Sequence, residues 1–438
     1  MKPMAKKGMR TAIIHYWLVG MRGGEKVVEA LCEMFPDADV FTHVYDPKKI
    51  SPTITSHPVH TSFIQKLPFA RRFYKQYMPL MPGALERLDL SAYDLVISSE
   101  SGPAKGVIVR PDALHVCYCH TPMRYLWDQY HHYHEASGML SRTGLSLLSG
   151  RLRQWDVTSA ARVDHFIANS TAVASRVRKY WRRSAEVISP PVDTAKFVAR
   201  KDRDDFYLHV GELVPYKRVD IAVEACTLLE RRLVVIGDGP DMAALKAKAG
   251  PTVEFLGRVP DDVLADHYAR CKALLFPAEE DFGIVPVEAM AAGAPVLAFS
   301  RGGARDYVSD GETGLFFDDQ SPQGLVGSII RYEMMEDRFD HHAIAAFARG
   351  FDRAVFDQNM KSAILRVMDG EPDMDAHRDA LAERWRNDAP VAVPLLRSAV
   401  ATKRTNAAPV AHLETGKAKP SIERLPSANG SNGARPPA

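Results

Sequence analysis

The feature that most constrains this chain is an alternation of apolar strands, glycine-bearing turns and helices that runs twice and is broken once by prolines. Residues 11–18 read as a strand, residues 20–25 as a glycine loop, and residues 27–35 as a helix with apolar side chains at helical spacing. Further strands are expected at 39–44, 93–98, 113–119 and 165–168, and helices at 145–161 and 170–181. Pro190 and Pro191 fix the backbone and disfavour helix, so residues 187–193 read as a linker. The pattern then restarts, with strands at 206–210, 232–236, 253–255, 273–276 and 295–299 and helices at 218–230, 242–249 and 261–270. Strands that alternate with helices build parallel α/β sheets. Two such runs about a proline hinge predict two α/β domains with a cleft between them, where folds of this kind bind ligands.

Within the second run, residues 276–293 carry the most chemistry: Phe-Pro-Ala-Glu-Glu-Asp-Phe-Gly-Ile-Val-Pro-Val-Glu-Ala-Met-Ala-Ala-Gly. A strand ends at Phe276 and a loop follows. Pro286 suits a first helical turn, Glu288-Ala-Met-Ala-Ala are strong helix formers, and Gly293 stops them. The free N–H groups of that helix start, after Gly283 at Ile284 and Val285, form an anion site. Glu280 in the loop and Glu288 in the first turn flank it, with seven residues between them. Carboxylates do not bind phosphate, but they accept hydrogen bonds from vicinal hydroxyls. The expected ligand therefore has a diphosphate in the middle and a polyol on each side.

The pattern Glu280-x7-Glu288, with Phe282-Gly283, Glu288-Ala-Met-Ala-Ala-Gly293 and Pro295-Val-Leu-Ala298 around it, resembles the signature of retaining, nucleotide-sugar-dependent glycosyltransferases of the GT-B fold, family 4-like. That family includes bacterial mannosyltransferases of surface polysaccharides. The resemblance covers residues 10 to 368, more loosely in the first half. It implies two Rossmann-like domains facing across a cleft: an acceptor domain at 10–190 and a donor-nucleotide domain at 191–350. A helix within 351–370 is expected to return to the first domain. The resemblance also implies that Glu280 faces the transferred hexose and that Glu288 holds the ribose. The activity it implies is transfer of a hexose, with retention, to a carbohydrate or polyprenyl-linked acceptor. No carboxylate is clearly placed as a nucleophile, so reaction on one face of the sugar is expected, with the departing diphosphate helping to deprotonate the acceptor. The stretches Cys119-His-Thr-Pro-Met-Arg124 and Leu213-Val-Pro-Tyr-Lys-Arg-Val-Asp220 resemble those of polysaccharide mannosyltransferases and favour GDP-mannose as donor. A nucleotide-sugar epimerase of the same fold is the nearest alternative. A dinucleotide-dependent oxidoreductase is a second, disfavoured because Gly237-Asp-Gly239-Pro-Asp has Met242 where a third glycine belongs.

The remaining candidates follow from the same resemblance. Lys217 is expected at a solvent-facing cleft, neutralising a diphosphate whose charge grows as the sugar leaves. The family usually has an arginine where this chain has Glu212, and Arg218 is the candidate substitute. His120, at the end of a strand, matches the family histidine that lines the transferred sugar. Gly23 and Gly24 admit a phosphate or sugar to the backbone, and Glu25 beside them is a candidate acceptor contact. Gly257 and Arg258 resemble the segment that reads the nucleotide base. Gly302-Gly303-Ala-Arg-Asp306 resembles the family's glycine pair followed by an acid.

Charge and cysteines set the outer limits. A net charge of +2 over 438 residues does not suit a nucleic-acid binder. Five cysteines do not make a disulfide framework, and the Cys117-x-Cys119 pair lacks zinc spacing, so both read as buried small residues. Residues 130–134 (Tyr-His-His-Tyr-His) read as an aromatic, partly exposed helix, and neither a metal nor another cofactor is expected. The basic start is followed by a stretch too short and polar for a signal peptide, and no apolar run spans a bilayer, so a cytoplasmic protein is expected. Residues 66–77 interleave cations with aromatics and suit either a solvated surface helix or a peripheral contact with anionic lipid on the inner face of the membrane. Residues 371–438 depart from the pattern, and their Pro, Ala, Ser, Asn and Gly content reads as a largely disordered tail.

Overall fold

The computed structural model describes residues 8–131, 134 and 138–369. Their strands form two sheets. In the first, β1 (Thr11–His15), β2 (Asp39–Thr42), β3 (Val59–Thr61), β4 (Leu95–Glu100), β5 (Leu114–Cys119), β6 (His165–Ala168) and β7 (Glu186–Val187) lie in the order β3-β2-β1-β4-β5-β6-β7. In the second, β8 (Tyr207–Val210), β9 (Leu233–Ile236), β10 (Val253–Gly257), β11 (Ala273–Phe276), β12 (Val296–Phe299) and β13 (Gly314–Phe317) lie in the order β10-β9-β8-β11-β12-β13. Neighbouring strands are parallel throughout, as in β1 on β4 (Thr11 opposite Leu95) and β8 on β9 (Tyr207 opposite Leu233). Every position of β1, β4, β5, β8 and β9 is buried, because helices cover both faces of each sheet.

In each sheet the strand order reverses once, between β1 and β4 and between β8 and β11. Helices leave opposite faces at such a point, and a crevice opens beyond the carboxyl ends of the strands. The turns after β1, β4 and β5 therefore meet those after β8 and β11, which carry the candidate residues.

Three strands escape the sequence pattern. β3 follows Pro58 and has only three residues, β7 has two and falls in the expected linker, and β13 follows a glycine turn. Edge strands this short leave no periodic signal. Residues 63–80 also differ from a single surface helix: they are short turns at 63–66, 70–73 and 74–80. Pro68 and Pro79 interrupt them, and Phe69 between the first two is left-handed at φ 51°. The expected 130–134 helix falls partly, and the 371–438 tail wholly, outside the described residues.

The helix Arg353–Asp369 packs on the first sheet's core. Phe356, Met360, Ala363, Ile364 and Met368 repeat at helical spacing and join Val27, Val28 and Leu31 of the helix Gly23–Met34. Arg353 pins the crossing, with Nη2 2.9 Å from Glu33 and 3.1 Å from the Ala30 carbonyl. The chain crosses itself there: Val192 N–H donates to Phe351 O (3.0 Å), and Arg353 N–H donates to Val192 O (3.2 Å). Phe356 is 2 % exposed and meets the Tyr118 ring edge-on at 5.8 Å. Phe356→Ala should cost about 3–5 kcal/mol, the usual loss for a buried aromatic. Chemical denaturation measures it; a loss below about 1 kcal/mol would show that this helix adds little to the core.

Candidate functional site

The turn from β11 into the helix Ile284–Ala291 sets the geometry. Gly283 has φ 89°, and a Cβ there would come within 2.9 Å of both Phe276 Cζ and Tyr307 Oη, so only glycine turns the chain this tightly. A second glycine supports the acid loop from below. Gly302 has φ 69°, its Cβ would lie 2.2 Å from Glu280 O, and the next N–H, of Gly303, donates to that carbonyl at 2.9 Å. The Gly302-Gly303 pair thus fixes the backbone of Glu280. Asp306, at the end of the same turn, accepts from Thr171 N–H (2.7 Å) and the Thr171 hydroxyl at the start of the helix Thr171–Trp181.

A cavity of about 580 Å³ lies between the sheets. Gly23, Gly24, His120, Lys217, Glu280, Gly283, Ile284 and Val285 all line it. The starts of the helices Gly23–Met34 and Ile284–Ala291 meet at its wall, where a Cβ on Gly23 would be 3.2 Å from Ile284 Cδ1. Two sets of free N–H groups and two helix dipoles therefore favour negative charge in this space.

Lys217 is 14 % exposed rather than solvent-facing, and its Nζ lies 2.7 Å from Glu280 Oε1. Burial alone would lower its pKa; the Glu280 charge and hydrogen bond outweigh burial and leave the ammonium above its ordinary value. Lys217 is thus a fixed cation held on a carboxylate. His120 closes the opposite wall. Burial, helped by His15, drops its pKa to about 3, so the imidazole is neutral near pH 7.

Glu288 faces an adjoining cavity of about 770 Å³, which shares Ile284 with the first. Tyr268 Oη donates to Glu288 Oε2 at 3.0 Å. Burial raises the Glu288 pKa, and the Tyr268 bond only partly offsets it. Arg218, Gly257 and Arg258 stand outside the walls of both cavities. Arg218 is drawn to Asp220 by bonds of 3.2 and 3.1 Å, and Glu212 is exposed. Neither supplies a second cation beside Lys217. Glu25 is not an accessible acceptor contact: it is 2 % exposed and accepts the Arg22 N–H at 3.1 Å, closing the first turn of its helix.

Two arginines were not legible as site residues. Arg124 lines the first cavity; it lies 3.5 Å from Glu279 and 3.4 Å from Asp281, the two neighbours of Glu280, and donates to Asp128 at 2.9 Å. Arg176, on the helix Thr171–Trp181, is paired with Asp281 and approaches Glu279 at 3.7 Å and Asp128 at 3.8 Å. Ser170 Oγ adds a 2.5 Å bond to Asp281 O. Residues of the first sheet's side therefore grip the Glu280 loop. Arg124 stood in a recognisable motif, but Arg176 carries no local signal, because its main partner, Asp281, lies 105 residues away.

Ionising Glu288 opposes folding, and the sign can be tested. Its folded pKa is raised above 4.5, so its unfavourable contribution is absent below pH 4.5 and grows as pH rises to the raised value. Glu288→Gln should unfold at higher denaturant than the parent protein at pH 7, with the gap narrowing towards pH 4. A variant less stable at both pH values would contradict this.

Residues 21–196 match the sequence profile described as Glycosyltransferase Family 4, and residues 193–349 match that described as Glycosyl transferases group 1. The chain is 31% identical over 238 residues to a GDP-mannose-dependent alpha-(1-6)-phosphatidylinositol monomannoside mannosyltransferase of Mycobacterium tuberculosis, covering 45% of this chain and 60% of that one. It is 30% identical over 264 residues to a D-inositol 3-phosphate glycosyltransferase of Acidothermus cellulolyticus, covering 52% and 56%. An uncharacterized glycosyltransferase of Methanocaldococcus jannaschii is 34% identical over 131 residues, 29% of this chain and 37% of its own. The chain thus spans less than two thirds of the length of these relatives. Among solved structures, the fold is shared with Anabaena HepE in complex with UDP and glucose (TM-score 0.59, 17% identity, 81% of this chain and 98% of that one). Sucrose-phosphate synthase of Thermosynechococcus elongatus shares it too (TM-score 0.61, 17% identity, 83% and 100%).

Proposed function

Because the chain belongs to the GT-B glycosyltransferases, family 4-like, we propose that it transfers a hexose from a nucleoside diphosphate sugar, with retention, to a carbohydrate or lipid-linked acceptor in polysaccharide synthesis. The observation that carries this reading is the pair of adjoining cavities that share Ile284 in their walls. One combines a cation, two helix starts, a carboxylate and a neutral imidazole; the other presents a second carboxylate. A sugar–diphosphate–ribose ligand has its charges and hydroxyls in that order. GDP-mannose is the proposed donor, on the strength of the GDP-mannose-dependent relative and of the Cys119–Arg124 and Leu213–Asp220 stretches.

Glu280 and His120 hold the hexose, Lys217 and the backbone at Gly283, Ile284 and Val285 hold the diphosphate, and Glu288 holds the ribose. When the donor enters, its diphosphate takes Lys217 from Glu280. Glu280 is then free to accept sugar hydroxyls. The bond from the sugar's anomeric carbon to the diphosphate breaks, the acceptor oxygen bonds to that carbon on the same face, and the acceptor's proton passes to the departing diphosphate. Lys217 and the two helix starts stabilise the charge that develops. These groups need no metal.

Lys217→Ala should lower kcat by about 30- to 1,000-fold, which corresponds to losing roughly 2–4 kcal/mol of transition-state stabilisation. Wild-type turnover in that variant would remove Lys217 from the site. Glu288→Gln should weaken bare nucleoside diphosphate and intact donor alike, by about ten- to a hundredfold, whereas Glu280→Gln should spare the bare nucleotide and lower turnover. Calorimetric titration with nucleoside diphosphate separates the two; equal losses would refute the assignment.

What supports a membrane-linked acceptor is the surface of residues 63–80. Phe69 is 75% exposed and Leu80 46%, with Phe63 and Phe73 also at the surface beside exposed Lys66, Arg71, Arg72 and Lys75. Aromatics at the surface ringed by cations suit an anionic lipid face. Among the described residues no helix is long and apolar enough to cross a membrane. The protein should co-sediment with vesicles rich in phosphatidylglycerol and less with phosphatidylcholine alone, and the double variant Phe69→Asp, Phe73→Asp should lose that binding. Equal sedimentation of variant and parent would place the contact elsewhere or nowhere.

A further inference from the structure

Behind His120 lies a line of buried polar side chains that the proposed reaction does not use. His120 Nε2 is 2.8 Å from Ser99 Oγ, and the same hydroxyl is 3.1 Å from His15 Nδ1. The far nitrogen of His15, Nε2, faces Glu25 Oε1 at 3.8 Å and has no hydrogen-bond partner. Ser99 and His15 are wholly buried, and Glu25 is held in place by the Arg22 N–H. The line therefore runs from the first turn of the helix Gly23–Met34, across the ends of β1 and β4, to the cavity wall.

A hydroxyl has one hydrogen, so it donates to one of these imidazoles and accepts from the other. Glu25 decides which. The carboxylate favours an N–H on the nitrogen that faces it, which leaves His15 Nδ1 as a bare acceptor. Ser99 then donates to His15 Nδ1 and accepts from His120 Nε2–H. His120, kept neutral by its burial, is left with an unprotonated Nδ1. Among the described residues no other hydrogen bond to the His120 ring is formed, and His120 borders the cavity.

We propose that Glu25, His15 and Ser99 are positioning residues that hold His120 as the Nε2–H tautomer, so that its Nδ1 accepts a hydrogen bond from a hydroxyl in the cavity. The inference rests on the reading of that cavity as a hexose site. It deepens that reading: an acceptor nitrogen at this wall selects a sugar with a free hydroxyl there and disfavours the deoxy analogue, which would leave the nitrogen unpaired.

Nitrogen-15 spectra of the histidine rings in the full, ligand-free chain test the proposal, with His120 assigned by its loss in His120→Gln. Two-bond proton–nitrogen correlations should show His120 at pH 7.5 as a single tautomer protonated on Nε2. Ser99→Ala and, separately, Glu25→Gln should convert that signal to a tautomer average. In Ser99→Ala, kcat should fall by about ten- to a hundredfold, the effect of one mispositioned hydrogen-bonding group, while the donor KM stays within about twofold. A parent protein with His120 protonated on Nδ1 would overturn the proposal, as would an unchanged single tautomer in both variants. The spectra need no substrate. The expected tautomer in a protein that turns over no nucleotide sugar would leave the relay standing and remove the hexose reading.

Discussion

The ion cluster of Arg124 and Arg176 with Asp128, Glu279 and Asp281 is the constraint on which the rest of the site depends. Glu280 sits between two acids that are each held by guanidiniums from the first sheet's side. A flexible loop could not hold a carboxylate within the few tenths of an ångström that catalysis requires. The clasp shares the work with Gly302-Gly303, which supports the Glu280 backbone, and with Ser170, which bonds to Asp281 O. Because the arginines are only 12–15% exposed, water screens these contacts less than it screens surface pairs. The same contacts couple the two sheets, so any opening of the cleft there must break them.

A second balance operates inside the cavity. Lys217 and Glu280 neutralise one another in the empty site at 2.7 Å. In the reaction proposed above, an incoming diphosphate would offer Lys217 a stronger partner and release Glu280 towards the sugar. The ion pair thus keeps both groups in place before the ligand arrives, at the cost of the energy needed to separate them. Glu288 shows the opposite economy: Tyr268 and the Lys196 charge only partly offset its burial, and its pKa stays raised. A buried charge that folding disfavours is a common mark of a binding site.

The fold was largely legible because strand, turn and helix repeat with clear periods, and the acid loop was legible because its residues are adjacent. Gly23, Gly24, His120, Lys217, Glu280 and Gly283 come together from turns at the carboxyl ends of four strands, and each turn carries its own short signal. Arg176 and the His15–Ser99 pair gave none. Their chemistry arises from partners far apart in sequence, such as Ser99 and His15, 84 residues apart, which only the sheet register brings side by side. Arg218 shows the reverse failure. It is next to Lys217 in sequence, but the left-handed turn at φ 51° sends its side chain to Asp220. Residues 66–77 suited a single surface helix, and Pro68 and the left-handed Phe69 divide them.

The central claim is that one donor lies across both cavities and takes Lys217 from Glu280. A crystal structure of the protein with a non-hydrolysable nucleoside diphosphate hexose tests it most directly. The account predicts Lys217 Nζ within hydrogen-bond distance of a diphosphate oxygen, Glu280 on hexose hydroxyls, and Glu288 on the ribose. A bound donor with Lys217 still on Glu280, or with its ribose away from Glu288, would contradict it.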